Sequence, residues 1–450
     1  MKSRNISLTD LRLLRDFFAP GSSLFLHDAF GRVKGNFPEQ LQDFEPDLHS
    51  AILAETHPDY FVLTRGTVQS ENLVWFDYIN NPDGTIRWFY PSSADRPDYL
   101  ALYNATSFKA KVYKFVASVM FRLKGARFMA SGRFGVEKSL VHSAKTMYGI
   151  GQDERCTFFT GTRGATRKMV VEAGYGNHRP EYIKIPTTPK ARVLIQNEYT
   201  MVRSLSKYDF STLSLPKISS QINGHARLTG VKPAIPIPAD RITSIHVRAL
   251  TELYAMSHEN RTVSDSDAWV TIQANLEFLN RELTFINTLN REKTLQLIGL
   301  MRELHARIPV TETVSVSVSH GDFTPWNMYC DEYRLYLYDW EMSGNGIPML
   351  FDLFHFSYQS TILQKRQQYP AVKSAIQSWK QQPAVQQIVR KYGINTELHH
   401  ALYLLFNVSH YVRQYLSEEE LLEQSQWMID AWTEALQEAN TLFSKQSRSV

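Results

Sequence analysis

Between Val316 and Pro348 the chain reads VSVSHGDFTPWNMYCDEYRLYLYDWEMSGNGIP. No other stretch restricts the fold as tightly. Val314, Val316 and Val318 alternate with small polar residues, and Leu335 and Leu337 alternate with Tyr336 and Tyr338. Both patterns predict strands. The loop between them is expected to display Asp322, Asn327 and Asp339 at neighbouring strand ends of a short strand pair. Three oxygen donors with no thiolate beside them suit a hard divalent cation such as Mg2+, which takes few protein ligands and completes its octahedron with water and phosphate oxygens.

Taken singly, each of these residues is met more often as the side-chain cap of a turn. Jointly they follow D-x-x-x-x-N and a later strand-end Asp, the catalytic spacing of kinases. Reading His320-x-Asp322 as a metallohydrolase ligand pair requires further histidines at ligand spacing, and His305 and His355 do not supply it.

HGDFTPWN followed by LYDWE resembles the aminoglycoside phosphotransferase and choline kinase superfamily, a protein-kinase-like fold with His-Gly-Asp where protein kinases carry His-Arg-Asp. The resemblance covers residues 153 to 440. It implies that Asp322 accepts the proton of an attacking hydroxyl, that Asn327 and Asp339 hold Mg2+ on the phosphates of ATP, and that His320 braces the loop. Asp352, in PMLFDLFHF, corresponds to a downstream structural Asp. Asp339 is followed by Trp340 and Glu341, so there is no D-F-G. The segment also lacks an activation loop with an A-P-E anchor, which argues against a protein substrate.

A kinase also needs a strand lysine paired with a helical glutamate to grip the nucleotide phosphates. EYIKIP offers Lys184 in a strand pattern, and VLIQNEYTMVRSL offers Glu198 on an amphipathic helix fourteen residues on. Alone, such a lysine is usually a snorkelling edge residue and such a glutamate a solvated one. Gly161 and Gly164, between the strand-like runs CTFF and RKMVV, could bring backbone N–H groups to phosphates, with Arg163, Arg167 and Lys168 adding charge. This turn departs from G-x-G-x-x-G and reads equally well as a plain hairpin. By the resemblance, Thr229 to Val231 fall where the family runs its adenine-binding hinge.

The 450 residues, 43% hydrophobic and 21% charged, can bury a large core. A net charge of +4 without any block of consecutive Lys/Arg disfavours nucleic acid and a strongly cationic acceptor. Cys156 and Cys330 are the only cysteines, which excludes a disulfide framework and points to a reducing, cytoplasmic setting. The N-terminus lacks a secretory pattern, and no apolar run approaches the roughly 18 residues that span a bilayer.

The expected architecture is α+β and bilobal. Residues 1–145 form an N-terminal extension, 146–238 a β-rich nucleotide-binding lobe and 239–450 a mainly helical catalytic lobe. In the extension, Val74 to Pro91 reads as a hairpin turning at Asn80-Asn81-Pro82-Asp83-Gly84. Ser107 to Phe128 reads as a helix ending near Gly125, its cations scattered around the circumference, which leaves peripheral membrane contact open. Deleting residues 1–140 is expected to change acceptor use more than ATP binding. The function expected is ATP- and Mg2+-dependent phosphorylation of a hydroxyl on a small molecule: a sugar, an aminoglycoside-like compound, an amino alcohol or a polysaccharide unit. The alternative is a non-catalytic nucleotide-binding protein acting in regulation or assembly. The sequence does not fix the oligomeric state.

Overall fold

The computed structural model describes residues 7–19, 24–27, 33–37, 60–64, 72–101, 108–161, 164, 166–174, 181–222, 225–230, 236–237, 239–282, 291–416 and 423–446. The chain divides into two compact units, one of residues 1–199 and 217–230, the other of residues 200–216 and 231–450.

The first unit is built on one sheet. Its strands are β1 (Leu24–His27), β2 (Val33–Phe37), β3 (Tyr60–Thr64), β4 (Leu73–Asn80), β5 (Ile86–Pro91), β6 (Gly132–Glu137), β7 (Cys156–Phe159), β8 (Lys168–Ala173), β9 (Glu181–Pro186), β11 (Lys217–Ile222) and β12 (His225–Thr229). They lie in the order β11-β12-β9-β8-β7-β5-β4-β6-β3-β1-β2. The expected hairpin is β4–β5. It reverses where Gly84 takes φ +88° and the Asp83 carboxylate accepts the Thr85 N–H at 2.9 Å. Strand alternation gives the sheet two apolar faces. Phe76, Phe89, Phe134 and Phe158 form one, packed with Phe17 and Phe18 of helix α1 (Leu8–Phe18) and with Leu140 and Ala144. Trp88 and Tyr90 lie on the other, against Tyr99 and against Ala117 and Phe121 of helix α2 (Phe108–Arg122).

The expected division at 145/146 is corrected by this sheet. β5, from the front section, pairs with β7 from the nucleotide-binding section at Trp88↔Phe159 and Phe89↔Phe158. Across the same boundary, Arg167 Nη2 meets Asp10 Oδ1 at 2.7 Å, both buried. Backbone ladder, core and ion pair all run through the proposed boundary, so the front section belongs to the β-rich unit.

The second unit is mainly helical. Its helices include α5 (Ser244–Ser257), α6 (Asp267–Glu282), α7 (Arg291–His305), α8 (Phe351–Gln359) and α11 (Thr396–Tyr415); of the earlier helices, α3 (Lys138–Met147) lies in the first unit, and α4 (Pro189–Leu205) begins there and carries Glu198 within it. The remaining helices are α9 (Tyr369–Lys380), α10 (Pro383–Lys391) and α12 (Glu423–Gln446). Trp340, Trp379 and Trp432 are wholly buried. The single strand pair expected here is instead two small sheets. β14 (Thr313–Ser319) pairs with β13 (Glu259–Thr262) and β17 (Gly344–Pro348), whereas β16 (Leu335–Leu337) pairs with β15 (Met328–Cys330) and, in parallel, with β10 (Leu213–Ser214). Both runs form strands as their alternation predicts. Alternation does not name the partner, and here each run finds a different one. Among the described residues no helix is long and apolar enough to cross a membrane.

Candidate active site

β14 ends at Ser319 and feeds directly into His320, Gly321 and Asp322. The turn is clamped by Asp352, in the first turn of α8. Its buried carboxylate accepts Ser319 Oγ at 2.9 Å, His320 N–H at 3.0 Å and Gly321 N–H at 3.1 Å. Gly321 takes φ +80°, and a Cβ there would stand 2.1 Å from the Met342 carbonyl oxygen, so no larger residue fits.

His320 is wholly buried. Its Nε2 donates to the Tyr338 carbonyl at 3.0 Å, and its Nδ1 accepts the Asp322 N–H at 3.3 Å. These partners, one an acceptor and one a donor, fix a neutral tautomer. Burial pushes the imidazole pKa below its usual range in agreement with that assignment. One ring thus ties the backbone of Asp322 to the residue before Asp339.

Asn327 closes a 3-10 turn that starts at Pro325. Its Nδ2 donates to Asp322 Oδ2 at 2.7 Å and to the Asp322 carbonyl at 3.0 Å. Its carbonyl accepts the Tyr338 N–H at 3.0 Å, and Met328 pairs with Leu337 across β15–β16. Asn327 and Asp339 therefore leave the ladder at the same end. Asp339 adopts left-handed backbone angles, φ 67° and ψ 56°, which Asp tolerates better than most residues.

The sequence reading assigned His355 no part in this site. Three residues beyond Asp352 on α8, its Nε2 lies 3.1 Å from Asp322 Oδ1, and Tyr403 Oη of α11 lies 3.5 Å from its Nδ1. The signal available in the sequence was the i, i+3 spacing from Asp352, which puts both residues on one helix face. Asp322 remains 29% exposed, whereas His355 is 5% exposed. A cavity of about 390 Å³ opens beside His355, its walls including Thr271, Ser343, Asn345, Phe351, Tyr403 and Asn407. Asn407 is buried, and its Nδ2 has no hydrogen-bond partner among the described residues.

In the β-rich unit, Lys184 on β9 places Nζ 2.6 Å from Glu198 Oε2 on α4, with both side chains buried. Gly161 and Gly164 lie in the β7–β8 turn with φ +70° and +155°, and the Gly161 carbonyl lies 3.3 Å from Asn81 Nδ2. Arg163 lies outside the described residues. The expectation that Arg167 adds charge for phosphates is corrected: its guanidinium is buried against Asp10 and the Thr160 carbonyl (2.9 Å). Lys168 opens β8. Thr229 ends β12 opposite Glu181, while Val231 lies outside the described residues. Within each unit, then, the sequence-predicted partners meet: Lys184 with Glu198, and Asp322 with Asn327 beside the strand end that bears Asp339.

The donor set fits Mg2+. The amide nitrogen of Asn327 is engaged by Asp322, which leaves its Oδ1 open to a cation, and Asp339 follows Tyr338 at the same end of the ladder. Among the described residues no group of three or more His, Cys, Asp or Glu forms a metal cage. A Mg2+ completed by phosphate oxygens and water needs none.

Scans of protein-family models and of curated proteins gave no match. Solved structures do match. An ADP-bound aminoglycoside phosphotransferase is 13% identical, covering 67% of this chain and 98% of its own, with a TM-score of 0.40. A choline/ethanolamine kinase family protein from Mesorhizobium loti is 16% identical, covering 64% and 87%, with a TM-score of 0.34. Amicoumacin kinase, in complex with AMP-PNP, Ca2+ and Ami, is 12% identical, covering 67% and 93%, with a TM-score of 0.39. By name, these three are a phosphotransferase, a member of a kinase family and a kinase. They belong to the group that the HGDFTPWN and LYDWE motifs resemble. At these scores the likeness carries no functional weight, and the chemistry is read from the side chains themselves.

Proposed function

We propose that the chain is an ATP- and Mg2+-dependent phosphotransferase acting on a hydroxyl of a small molecule. The observation that carries this reading is the partly exposed Asp322 carboxylate, held at Oδ2 by Asn327 and at Oδ1 by His355. A carboxylate oxygen has two acceptor sites, so each can still take a substrate hydroxyl. Asp322 would receive that proton as the hydroxyl oxygen bonds to the γ-phosphorus. The bond from that phosphorus to the β-bridging oxygen breaks, and ADP leaves. Lys184, oriented by Glu198, would grip the α- and β-phosphates, and the Gly161–Gly164 turn and Thr229–Val231 would contact the phosphates and the base. Asn327 and Asp339 would hold Mg2+, which when bound neutralises charge on the phosphate oxygens. His320 and Asp352 hold the loop in place, and the rate then comes from positioning and electrostatics.

The cavity beside His355 is the candidate acceptor site; Asp322 is not among its walls, and His355, which is, connects the two. Of its carboxylates, Asp267 lies 3.2 Å from Arg261 and Asp352 is engaged by the catalytic turn. A wall with its negative charge so occupied favours a neutral polyol or sugar hydroxyl over a polycationic aminoglycoside. The buried amide of Asn407 would donate to such an oxygen.

The test is ADP release over a panel of hydroxylated metabolites with Mg2+ present. Turnover on a neutral polyol, reduced about a thousandfold in Asp322→Asn, is expected for loss of a catalytic base. Undiminished turnover in that variant would remove the proposal.

A further inference from the structure

Helix α2 is apolar on two sides. Ala117 and Phe121 are buried in the aromatic core with Tyr90 and Tyr99. Yet Val112, Phe115, Val116 and Leu123 are exposed, Phe115 by 70% and Leu123 by 72%. At 100° per residue these four positions fall within an arc of about 100°, opposite 117 and 121. Phe128, in the 3-10 turn Ala126–Met129 that follows, is 89% exposed. Single exposed apolar side chains are ordinary, but an aligned row ending in a projecting ring marks an interaction surface.

Charge says what kind. From Tyr99 to Val136 the sequence carries seven Lys/Arg and no Asp or Glu. Arg122, Lys124 and Arg127 are exposed at the C-terminal end of the apolar row. Arg133, also in this run, is held by Asp77 at 2.7 Å. Rings that stand this far out of the surface suit a soft phase that closes around them, and the cationic border of Arg122, Lys124 and Arg127, which has no acidic partner among the described residues, suits diffuse negative charge.

We propose that this face docks on an anionic lipid bilayer. Phe115, Leu123 and Phe128 enter the boundary between headgroups and acyl chains, and Arg122, Lys124 and Arg127 meet the lipid phosphates. The inference does not rest on the phosphotransferase reading. It places the β-rich unit at a membrane surface with no segment crossing the bilayer.

The test is co-sedimentation of the full chain with vesicles of phosphatidylcholine containing about one-third phosphatidylglycerol, against phosphatidylcholine alone. Binding to the anionic vesicles only is expected, weakened by salt. Replacing Arg122, Lys124 and Arg127 with Glu should weaken it by more than tenfold, since each cation near such a surface is worth about fivefold. Phe115→Ser with Leu123→Ser and Phe128→Ser should weaken it comparably while moving the thermal midpoint by no more than about 2 °C, because these are surface positions. Three results would overturn the proposal: no preference for anionic vesicles, full binding by the serine variant, or a wild-type dimer that the serine variant abolishes. The last would make the row an interface between two copies of this chain.

Discussion

Nε2 of His355 lies 3.1 Å from Oδ1 of Asp322, a residue 33 positions earlier in the chain, while Asn327 holds the other oxygen of the same carboxylate. The carboxylate is thereby fixed at both ends. His355 also borders the cavity, but its contact with the reacting groups runs through Asp322, so in the transfer it is a positioning residue.

His355→Ala should lower kcat by about ten- to a hundredfold, the scale of a small misplacement of a reacting group, and leave KM for ATP nearly unchanged. His355→Gln, which keeps a donor, should restore part of the loss. Steady-state ADP release reads both. A KM effect without a kcat effect would mean that His355 shapes the acceptor cavity instead.

Lys184 and Glu198 form a buried pair at 2.6 Å, so removing either partner strands a charge. Lys184→Met or Glu198→Leu alone should cost about 3–5 kcal/mol in urea unfolding, and the double variant should recover most of it. ATP binding should stay lost in the double variant, because stability and phosphate grip depend on different properties of the lysine. Recovered ATP binding would deny Lys184 its role.

Asp10 and Arg167 predict the fate of the front section. Asp10→Asn should lower the thermal midpoint, since it leaves the buried guanidinium without its counter-charge at a cost of about 3–5 kcal/mol. Deleting residues 1–140 removes β1–β6, α1 and α2, bares the β7 edge and empties the core that Phe76, Phe89 and Phe134 fill. ATP binding and acceptor use should therefore fall together, contrary to the sequence-based expectation that acceptor use changes more. A truncated chain that still binds ATP would refute this.

Acid should destabilise the fold through buried imidazoles. Burial lowers the pKa of His320, and lowers His246 and His399 to about 4 and His400 to about 3. In the unfolded chain these groups protonate near pH 6.5, roughly the free value. Below that pH the unfolded state takes up protons that the folded state refuses, so stability falls until the folded-state values are reached; above pH 7 these groups add no pH dependence. The urea midpoint should be lower at pH 5 than at pH 7.5. Equal midpoints would contradict the burial of these rings as neutral species.

The sequence by itself determined the local chemistry. Turn residues at 81–84, alternation in β14 and β16, and the spacing of Asp322, Asn327 and Asp339 are all written over a few adjacent positions, where backbone preference and side-chain period act directly. Lys184 and Glu198 were legible because a strand and the following helix bring them together over fourteen residues. Tertiary structure alone decided that β5 pairs with β7 and which partners β14 and β16 take, that Arg167 turns to Asp10 and away from the phosphate turn, and that His355 completes the Asp322 site. Contacts that span 157 or 33 residues leave no period in the chain, and a guanidinium or imidazole carries the same letter whichever carboxylate it meets. The outward apolar row of α2 is a mixed case. Its period is in the sequence, but only the packing of Ala117 and Phe121 showed which of two apolar sides faces water.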